Sequence, residues 1–410
     1  MSIGFLAKAA LKKLKNVFVF DPSIPGIAPL GVRFQKELGE EVRLNLLIPT
    51  LNPAHVFGGI TTALTFFEQL ADTLAVKRRI LVTDEALIPE FLKKYSGYTL
   101  TDCTEDHIVN RQAVPFSNRS GKTIPVGKND VFLCTAWWTA FIAAPVLEFI
   151  EQNCGIAKPM IYLIQDYEPY FYPWSSRSAL AESTYHLEKK VIAVFNSCEL
   201  RDYFRLHGYS FFKEFFFEPA LNPVLKRELL ENPPQKKEKK LLVYGRPSVP
   251  RNCTELIVEA LRRWTVLAED APQWQLVSAG EKHPDIPLGQ GCILRSAGKL
   301  PIGEYARLLG SCYAGVSLMM SPHPSYPPLE MSTFGIKTIT NTYENKDLSC
   351  FNGNIVSVSD ITPESIAQKL LEITNSFAEN TFFIADNTAY VKKTFTFEDV
   401  CRGILQELTV

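Results

Sequence analysis

The sequence lacks the motifs of several common enzyme classes. It contains no Gly-x-Gly-x-x-Gly, so a nicotinamide site would be without its usual loop, and no Gly-x4-Gly-Lys-Ser/Thr, which excludes a P-loop. It also contains no His-Glu-x-x-His and no Asp-x-Asp after a strand, so a metal-bridged diphosphate is not indicated. Any positive charge for a phosphate group must therefore come from arginine, lysine and helix N-termini.

The balance of charge and the scattered cysteines exclude further classes. A net charge of −1 gives the chain no general attraction to nucleic acid. The nine cysteines are an odd number without a Cys-x-x-Cys pair, so we expect free thiols in a reducing cytoplasm rather than disulfides or a zinc site. No run of 18 uninterrupted apolar residues occurs, and no cleavage site follows an apolar N-terminal stretch, so neither a spanning helix nor secretion is expected.

Residues 2–16 form a basic amphipathic pattern. One helical face is apolar and another carries lysines (Ile3, Leu6, Ala10 and Leu14; Lys8, Lys12 and Lys15). Such a helix can rest on an anionic membrane surface or pack on its own domain, and the sequence leaves both open. We therefore expect a cytoplasmic protein whose contact with the inner face of the cell membrane depends on this segment.

Apolar, β-branched runs alternate with helical patterns in two series. The first series predicts strands at 42–48, 79–84, 130–135, 160–165 and 191–196, and the second at 241–244, 274–279, 292–294, 315–318, 337–340 and 355–358. A proline and lysine cluster at 233–240 separates them, and 410 residues are too many for one core. The pattern predicts two doubly wound α/β domains, 1–222 and 223–395, with a final helix at 396–410. Ligands of such domains bind at the carboxyl ends of the strands.

Polar residues and glycines follow several of these strands. Gly58 and Gly59 precede a helix, where a ligand can approach the backbone closely, although a plain turn is the alternative. Gly245-Arg246 follows the first strand of the second series, with Arg251 close behind, and offers a guanidinium fork for a diphosphate or for a surface ion pair. Gly298-Lys299 follows the third strand, where a lysine can neutralise a leaving phosphate or simply be exposed.

Two further segments combine acids with aromatic or proline residues. Gln165 to Pro173 carries Asp166 and Glu168 beside four aromatic residues, which suits a sugar site or the edge of an aromatic core. Residues 321–334 form a proline-rich loop that leads to Glu330, which we expect at the start of a short helix. There it would either accept ribose hydroxyls beside a bound phosphate or only favour the helix dipole.

In this order, the motifs resemble retaining GT-B glycosyltransferases of the family 4 type, most firmly over residues 241–345. The resemblance implies an acceptor-binding first domain, a nucleotide-sugar-binding second domain, a final helix that returns to the first domain, and no metal or other cofactor. Gly58-Gly59, Gly245-Arg246, Gly298-Lys299 and Glu330 match motifs of that family. Together with the segments above, they give the expected catalytic, donor-binding and acceptor-binding residues in turn (Arg246, Lys299 and Asp166; Gly58, Gly59, Gly245, Arg295, Ser296, Tyr326, Glu330, Met331, Ser332 and Thr333; Glu168, Tyr170 and Tyr172).

The chain departs from that family in its Glu-x7-Glu motif, because Pro322 stands where the first acid is expected. The loss of a contact to outer sugar hydroxyls favours a deoxysugar donor. The pattern looks like rhamnosyltransferases that use dTDP-rhamnose to build bacterial surface glycans of the S-layer type, with a glycan acceptor that is lipid-linked or free. A sugar-nucleotide epimerase of the same architecture and a non-catalytic glycan-binding subunit remain alternatives.

Overall fold

The computed structural model describes residues 23–36, 41–53, 55, 58–87, 97–103, 109–233, 236–377 and 396–409. A first domain is built on an eight-stranded parallel sheet of order β10-β9-β8-β7-β2-β3-β5-β4, beside a small pair, β1-β6. Its strands are β1 Val32–Phe34, β2 Arg43–Ile48, β3 Lys77–Val82, β4 Thr99–Leu100, β5 Arg111–Pro115, β6 Ile124–Val126, β7 Asp130–Cys134, β8 Met160–Ile164, β9 Val191–Phe195 and β10 Lys213–Phe216.

The second domain has a seven-stranded sheet of order β13-β14-β12-β11-β15-β16-β17, parallel except for β13. Its strands are β11 Glu238–Gly245, β12 Gln275–Gly280, β13 Ile286–Gly289, β14 Cys292–Gly298, β15 Cys312–Val316, β16 Lys337–Asn341 and β17 Ile355–Val358. Two α/β domains with parallel sheets confirm the predicted fold class.

Helices connect the strands and cover the sheets. In the first domain they are α1 Gly58–Leu74, α2 Trp137–Cys154, α3 Ser176–Ser183 and α4 Cys198–Leu206. In the second they are α5 Pro223–Glu231, α6 Thr254–Leu267, α7 Ile302–Ser311, α8 Tyr326–Thr333 and α9 Pro363–Asn375. The last helix, α10 Phe397–Thr409, packs against α1, and the ring of Phe397 contacts Phe217 at 4.5 Å between centroids.

Continuous burial explains why the central strands were readable from sequence. Every residue of β8 and β9 is buried, as expected for strands covered by helices on both faces. The sequence missed β5 and β10, which carry charged residues, and the short strands β1, β4, β6 and β13. It also ended β14 at residue 294, whereas the strand continues to Gly298. The prediction stopped early because exposed and buried residues alternate along this strand, so it has no continuous apolar run.

The strand orders place one switch point in each sheet. The direction in which successive strands are added to the sheet reverses between β2 and β7 in the first domain and between β11 and β15 in the second. The crevice at such a point is where open α/β sheets bind ligands. The segments after β11 and β15 therefore border the expected ligand-binding crevice of the second domain.

In the part of the chain that the structure describes, no helix has both the length and the apolar character needed to cross a membrane. The basic segment 2–16 lies outside the described residues.

Replacing Gly245 with alanine is expected to destabilise the second domain. A Cβ atom at Gly245 would lie 1.9 Å from Oγ of Ser278, so that hydroxyl would have to move and lose its hydrogen bond with His283. Overpacking of this kind costs about 1–3 kcal/mol. Ser278→Ala should restore much of the loss in the double variant, since it removes the clashing oxygen. Thermal unfolding measures both effects.

Gly303→Ala is the matched control, because nothing lies within 4 Å of a Cβ at that position. It should unfold at or slightly above the wild-type temperature, since alanine favours a helix over glycine. A Gly245→Ala variant as stable as Gly303→Ala would contradict the close approach of the two strands.

Candidate active site

Asp166 joins the two domains at the carboxyl ends of their sheets. It follows β8 and is 5% exposed. Its Oδ1 atom accepts hydrogen bonds from the backbone N–H of Tyr167 at 2.9 Å and from the hydroxyl of Ser321, which lies after β15. Its Oδ2 atom lies 3.2 Å from Nε of Arg251, in the segment after β11. A first-domain carboxylate is thus held by a hydroxyl and a cation of the second domain.

Two cations surround this carboxylate. The guanidinium of Arg251 also lies over the ring of Phe171 at 4.2 Å, a cation–π contact across the domains. Lys346 is fully buried, and its Nζ donates to the backbone oxygen of Met319 at 2.7 Å. Burial lowers the pKa of Lys346 to about 7, and the charge of Asp166 opposes this shift. The cluster therefore balances a buried negative charge with groups drawn from separate segments.

Glycines align the strand ends that carry Arg246 and Lys299. Gly245 pairs with Gly280 on the neighbouring strand β12, and Ala279 pairs with Gly298 on β14. The backbones of Arg246 and Lys299 are therefore two strand spacings apart, about 10 Å. Two long cationic side chains at that separation can reach one diphosphate.

Arg295 and Ser296 do not lie at this strand end, which corrects the sequence expectation. Both lie within β14, and the Arg295 side chain is 71% exposed, 3.6 Å from Asp285. The backbone N–H of Ser296 donates to Asp285 at 2.9 Å, and its hydroxyl accepts from the backbone N–H of His283 at 3.0 Å. Ser296 thus fixes the preceding loop, and Arg295 lies on the surface.

The helix expected to begin at Glu330 begins four residues earlier, at Tyr326. Prolines are tolerated in the first helical turn, and Pro327 and Pro328 occupy it here. Because proline has no N–H group, these residues remove two donors that a helix N-terminus normally offers to an anion. Glu330 lies in the second turn, so its predicted place at the start of the helix is wrong.

The residues after Glu330 face the interior of the domain. Met331 is fully buried in the apolar core between the sheet and its helices. The Ser332 hydroxyl donates to the backbone oxygen of Leu329 at 3.1 Å and accepts from the Asn352 amide at 3.0 Å, and Thr333 is fully buried. The side chains of Met331, Ser332 and Thr333 therefore face the core of the domain, and the role of this segment in binding the donor stays a prediction.

Tyr326 brings the glycine loop to the second domain. Its hydroxyl forms a hydrogen bond with Thr62 in the first part of α1, and burial raises the pKa of Tyr326 to about 12. Helix α1 begins at Gly58, and a Cβ at Gly59 would lie 3.3 Å from Oε1 of Gln165. The structure thus brings together Gly58, Gly59 and Tyr326, which the sequence had assigned to one ligand.

The pKa of Glu330 differs from that of an exposed acid on a helix. It is partly buried, and burial raises its pKa to about 7, although the nearby Tyr305 favours the ionised form. A carboxyl group with this pKa changes charge near neutral pH. Such a shift is more typical of a functional cleft than of a helix cap.

Glu168 holds the start of α2 and does not line an open surface. It is 6% exposed, and its carboxyl group accepts a hydrogen bond from the backbone N–H of Trp137, the first residue of α2. The Tyr162 hydroxyl lies 3.3 Å from the same oxygen. Burial raises the pKa of Glu168 to about 8. The group is enclosed by its own domain in this structure, and its role as an acceptor contact stays a prediction.

Tyr170 and Tyr172 lie closer to solvent. Tyr170 is 51% exposed, and its ring contacts Tyr167 edge-on at 4.7 Å. The Tyr172 hydroxyl accepts from Nε1 of Trp137 at 3.0 Å. These two rings remain candidates for packing against an acceptor sugar.

Among the described residues, Cys198, Glu199 and Glu218 form the group with ligand atoms close enough to hold a metal ion, within 4.8 Å of one another. Burial and the two carboxylates raise the pKa of the Cys198 thiol.

Sequence reasoning missed Lys346 and the contact of Ser321. Lys346 lies in a turn between β16 and β17 with no motif around it. Ser321 opens the proline-rich loop, so its position was noticed, but its partner is 155 residues away. A partner at that separation has no local sequence signal.

Two parallel α/β domains whose strand ends meet across a cleft, with a final helix on the first domain, define the GT-B class. Residues 43–198 match the family described as "WsaF, N-terminal domain", and residues 239–371 match "WsaF, C-terminal domain". The two matches together cover most of the chain. The chain therefore belongs to the WsaF family and carries both of its domains in order.

Known proteins of similar structure share the fold at low sequence identity. The chain is similar to sucrose-phosphate synthase from Thermosynechococcus elongatus, with a TM-score of 0.53, 13% identity, and coverage of 90% of this chain and 95% of that one. It is also similar to WaaG, a glycosyltransferase involved in lipopolysaccharide biosynthesis, with a TM-score of 0.52, 14% identity, and coverage of 89% and 99%.

A curated relative gives a closer match over part of its length. The chain is 30% identical over 250 residues to the O-antigen biosynthesis protein RfbC of Myxococcus xanthus. The match covers 61% of this chain but only 18% of RfbC.

Glu168→Gln is expected to change how stability depends on pH. The folded pKa of about 8 lies above the ordinary 4.5, so the folded chain retains a proton that the unfolded chain has released in this window. Wild-type stability should therefore fall as pH rises from about 4.5 to about 8. The fall should be smaller in Glu168→Gln, which has no proton to lose.

Thermal unfolding of both proteins at pH 5, 6.5 and 8 measures this difference. Equal slopes of stability against pH in the two proteins would mean that Glu168 is ionised in the folded protein and that burial does not keep it protonated.

Proposed function

We propose that the chain transfers a sugar from a nucleotide-sugar donor to a glycan acceptor. The observation that carries this proposal is the contact of Asp166 with Ser321 and Arg251, which brings the strand ends of an acceptor domain against the switch point of a donor domain. In finer detail, we infer a retaining, metal-independent enzyme of the family 4 type that uses dTDP-rhamnose. The first domain binds the acceptor, and the second binds the donor.

Arg246 and Lys299 are the proposed groups that stabilise the leaving diphosphate. As the bond between sugar and phosphate breaks, negative charge develops on the leaving oxygen. Preorganised side-chain cations at the aligned ends of β11 and β14, rather than a metal ion, neutralise this charge without rearrangement. Asp166 lies on the acceptor side of the same cleft and is the proposed acid of that side.

The donor sugar and acceptor are inferred from less direct observations. Pro322 stands where a hydroxyl-binding acid is expected, which favours a deoxysugar. RfbC and WaaG are described as proteins of O-antigen and lipopolysaccharide biosynthesis, which supports a bacterial surface glycan as the acceptor. Peripheral contact with the inner face of the cell membrane through residues 2–16 is part of the same proposal.

An epimerase of this architecture would act on the donor without an acceptor. A nuclear magnetic resonance time course of the nucleotide-sugar alone distinguishes the two reactions, because an epimerase converts it and a transferase leaves the sugar configuration unchanged. Donor binding without transfer to any glycan acceptor would instead favour a non-catalytic subunit.

Lys299→Ala should reduce turnover far more than nucleotide binding. Loss of one preorganised charge contact costs about 2–4 kcal/mol in the transition state, so kcat should fall about 30-fold or more. Steady-state transfer assays give kcat, and calorimetry with dTDP gives the affinity.

Arg295→Ala is the control on the same strand, since its side chain is exposed and paired with Asp285. It should leave kcat within twofold of wild type. Turnover of Lys299→Ala within twofold of wild type would remove the lysine from the reaction.

Glu330→Gln should weaken nucleotide binding by about tenfold, because an ionised carboxylate that accepts the 3′-hydroxyl of the deoxyribose contributes about 1.5–3 kcal/mol. The pKa of Glu330, about 7 in the free protein, adds a pH signature. The deoxyribose hydroxyl favours the ionised form, so wild-type affinity for dTDP should rise between pH 6.5 and 8 more steeply than that of the variant. Titration of the phosphate itself is common to both proteins and cancels in the comparison.

The dTDP affinity of both proteins is measured by calorimetry across this pH range. Unchanged affinity beside a lowered melting temperature would assign Glu330 to the stability of α8 instead.

A further inference from the structure

His323 presents a buried hydrogen-bond donor that the protein does not use. The residue is 6% exposed, in the loop between β15 and α8. Its Nδ1 atom accepts the backbone N–H of Ser325 at 3.0 Å, so the neutral ring carries its proton on Nε2. Nε2 is buried, and none of the residues that the structure describes accepts a hydrogen bond from it. A buried donor without an acceptor is unfavourable and calls for an explanation, such as a functional role or a bound water or ion.

The loop around His323 holds the ring in place. The backbone N–H of His323 donates to Oγ of Ser321 at 3.0 Å, and Ser321 in turn donates to Asp166. Pro322 and Pro324 flank the histidine and restrict its backbone. Ser325 has a φ of 70°, a conformation that residues with a Cβ rarely adopt. This strained backbone places the Ser325 N–H against Nδ1 and thereby fixes which nitrogen carries the proton.

Charges around the ring keep it neutral. Burial lowers the pKa of His323 to about 4, with the opposing charge of Asp166 and the smaller lowering effects of Lys346 and Arg251 included in that value. The ring is therefore a single, uncharged N–H donor across the physiological range. Asp166 is not its acceptor, since Nε2 makes no hydrogen bond to any residue that the structure describes.

We propose that the Nε2–H group of His323 donates a hydrogen bond to an oxygen of the donor sugar and so determines which sugar is accepted. This inference rests on the proposed function. The diphosphate belongs at Arg246 and Lys299, and the transferred sugar must lie between it and the acceptor domain. His323 lies on that side, next to Asp166. Its ligand is thus a hydroxyl or ring oxygen of the sugar moiety.

Two variants test this role. His323→Phe keeps a planar ring without a donor, and His323→Gln keeps an amide N–H in a similar place. Calorimetry measures the affinity of each protein for dTDP and for dTDP-rhamnose, and the ratio of the two isolates the sugar contact. We expect dTDP affinity within twofold of wild type for both variants. The affinity ratio should fall at least tenfold in His323→Phe and less in His323→Gln.

A purely structural histidine would weaken both ligands together, and an unchanged ratio in His323→Phe would overturn the proposal. If the wild type prefers another nucleotide and its sugar conjugate in a panel of UDP, GDP and dTDP compounds, the ratio of sugar-nucleotide affinity to nucleotide affinity is measured with those two ligands instead. A wild type that binds no nucleotide at all would instead contradict the proposed function. The two failures are therefore distinguishable.

A second measurement does not depend on the folding of His323→Phe. In protein labelled with 15N-histidine, the Nε2–H resonance of His323 is identified by its absence in His323→Gln. It should shift when dTDP-rhamnose is added and remain nearly unchanged with dTDP. Equal shifts with the two ligands would contradict a contact with the sugar.

Discussion

The carboxylate of Asp166 is the constraint on which the arrangement of the cleft depends. A buried charge is tolerated only when it is paired and hydrogen-bonded, and removing one partner of such a group is costly. Asp166 meets this demand with one partner from its own domain and two, Ser321 and Arg251, from the other. The contacts that span the cleft elsewhere, such as Tyr326 with Thr62, require the same relative position of the domains. Pairing the charge of Asp166 therefore requires the two domains to keep this relative position.

The proline-rich loop accounts for the kind of anion site that the second domain can offer. Prolines restrict the backbone before α8 and hold it at low entropic cost, but Pro327 and Pro328 remove N–H groups from the helix start. A helix N-terminus with few free donors is a weak phosphate site. Side-chain cations must then carry more of the charge, and Arg246 and Lys299 stand at the aligned strand ends where they can do so.

The sequence predicted the parts of the site that depend on local pattern. Buried strands, two of them followed by a glycine, correctly placed Arg246, Lys299 and Asp166 after strand ends, which meet at one edge of a parallel sheet. It failed where a tertiary contact decides the outcome. Glu168 looks like a site acid in sequence, yet it is enclosed and binds the start of α2. The start of α8 was misplaced because a proline run reads as a loop, although the first helical turn tolerates it.

The contacts of Asp166 limit how it can act in a reaction. Its Oδ1 atom accepts two hydrogen bonds, from Tyr167 and Ser321, so the lone pair that stays open to an acceptor hydroxyl is on Oδ2, beside Arg251. Asp166 is 5% exposed, so a hydroxyl must pass its neighbours to reach that oxygen. Arg251 is the partner with a partly exposed side chain, 27%, and a second support in the ring of Phe171. A catalytic Asp166 therefore implies that Arg251 moves aside, whereas a carboxylate that only positions the two domains requires no such movement.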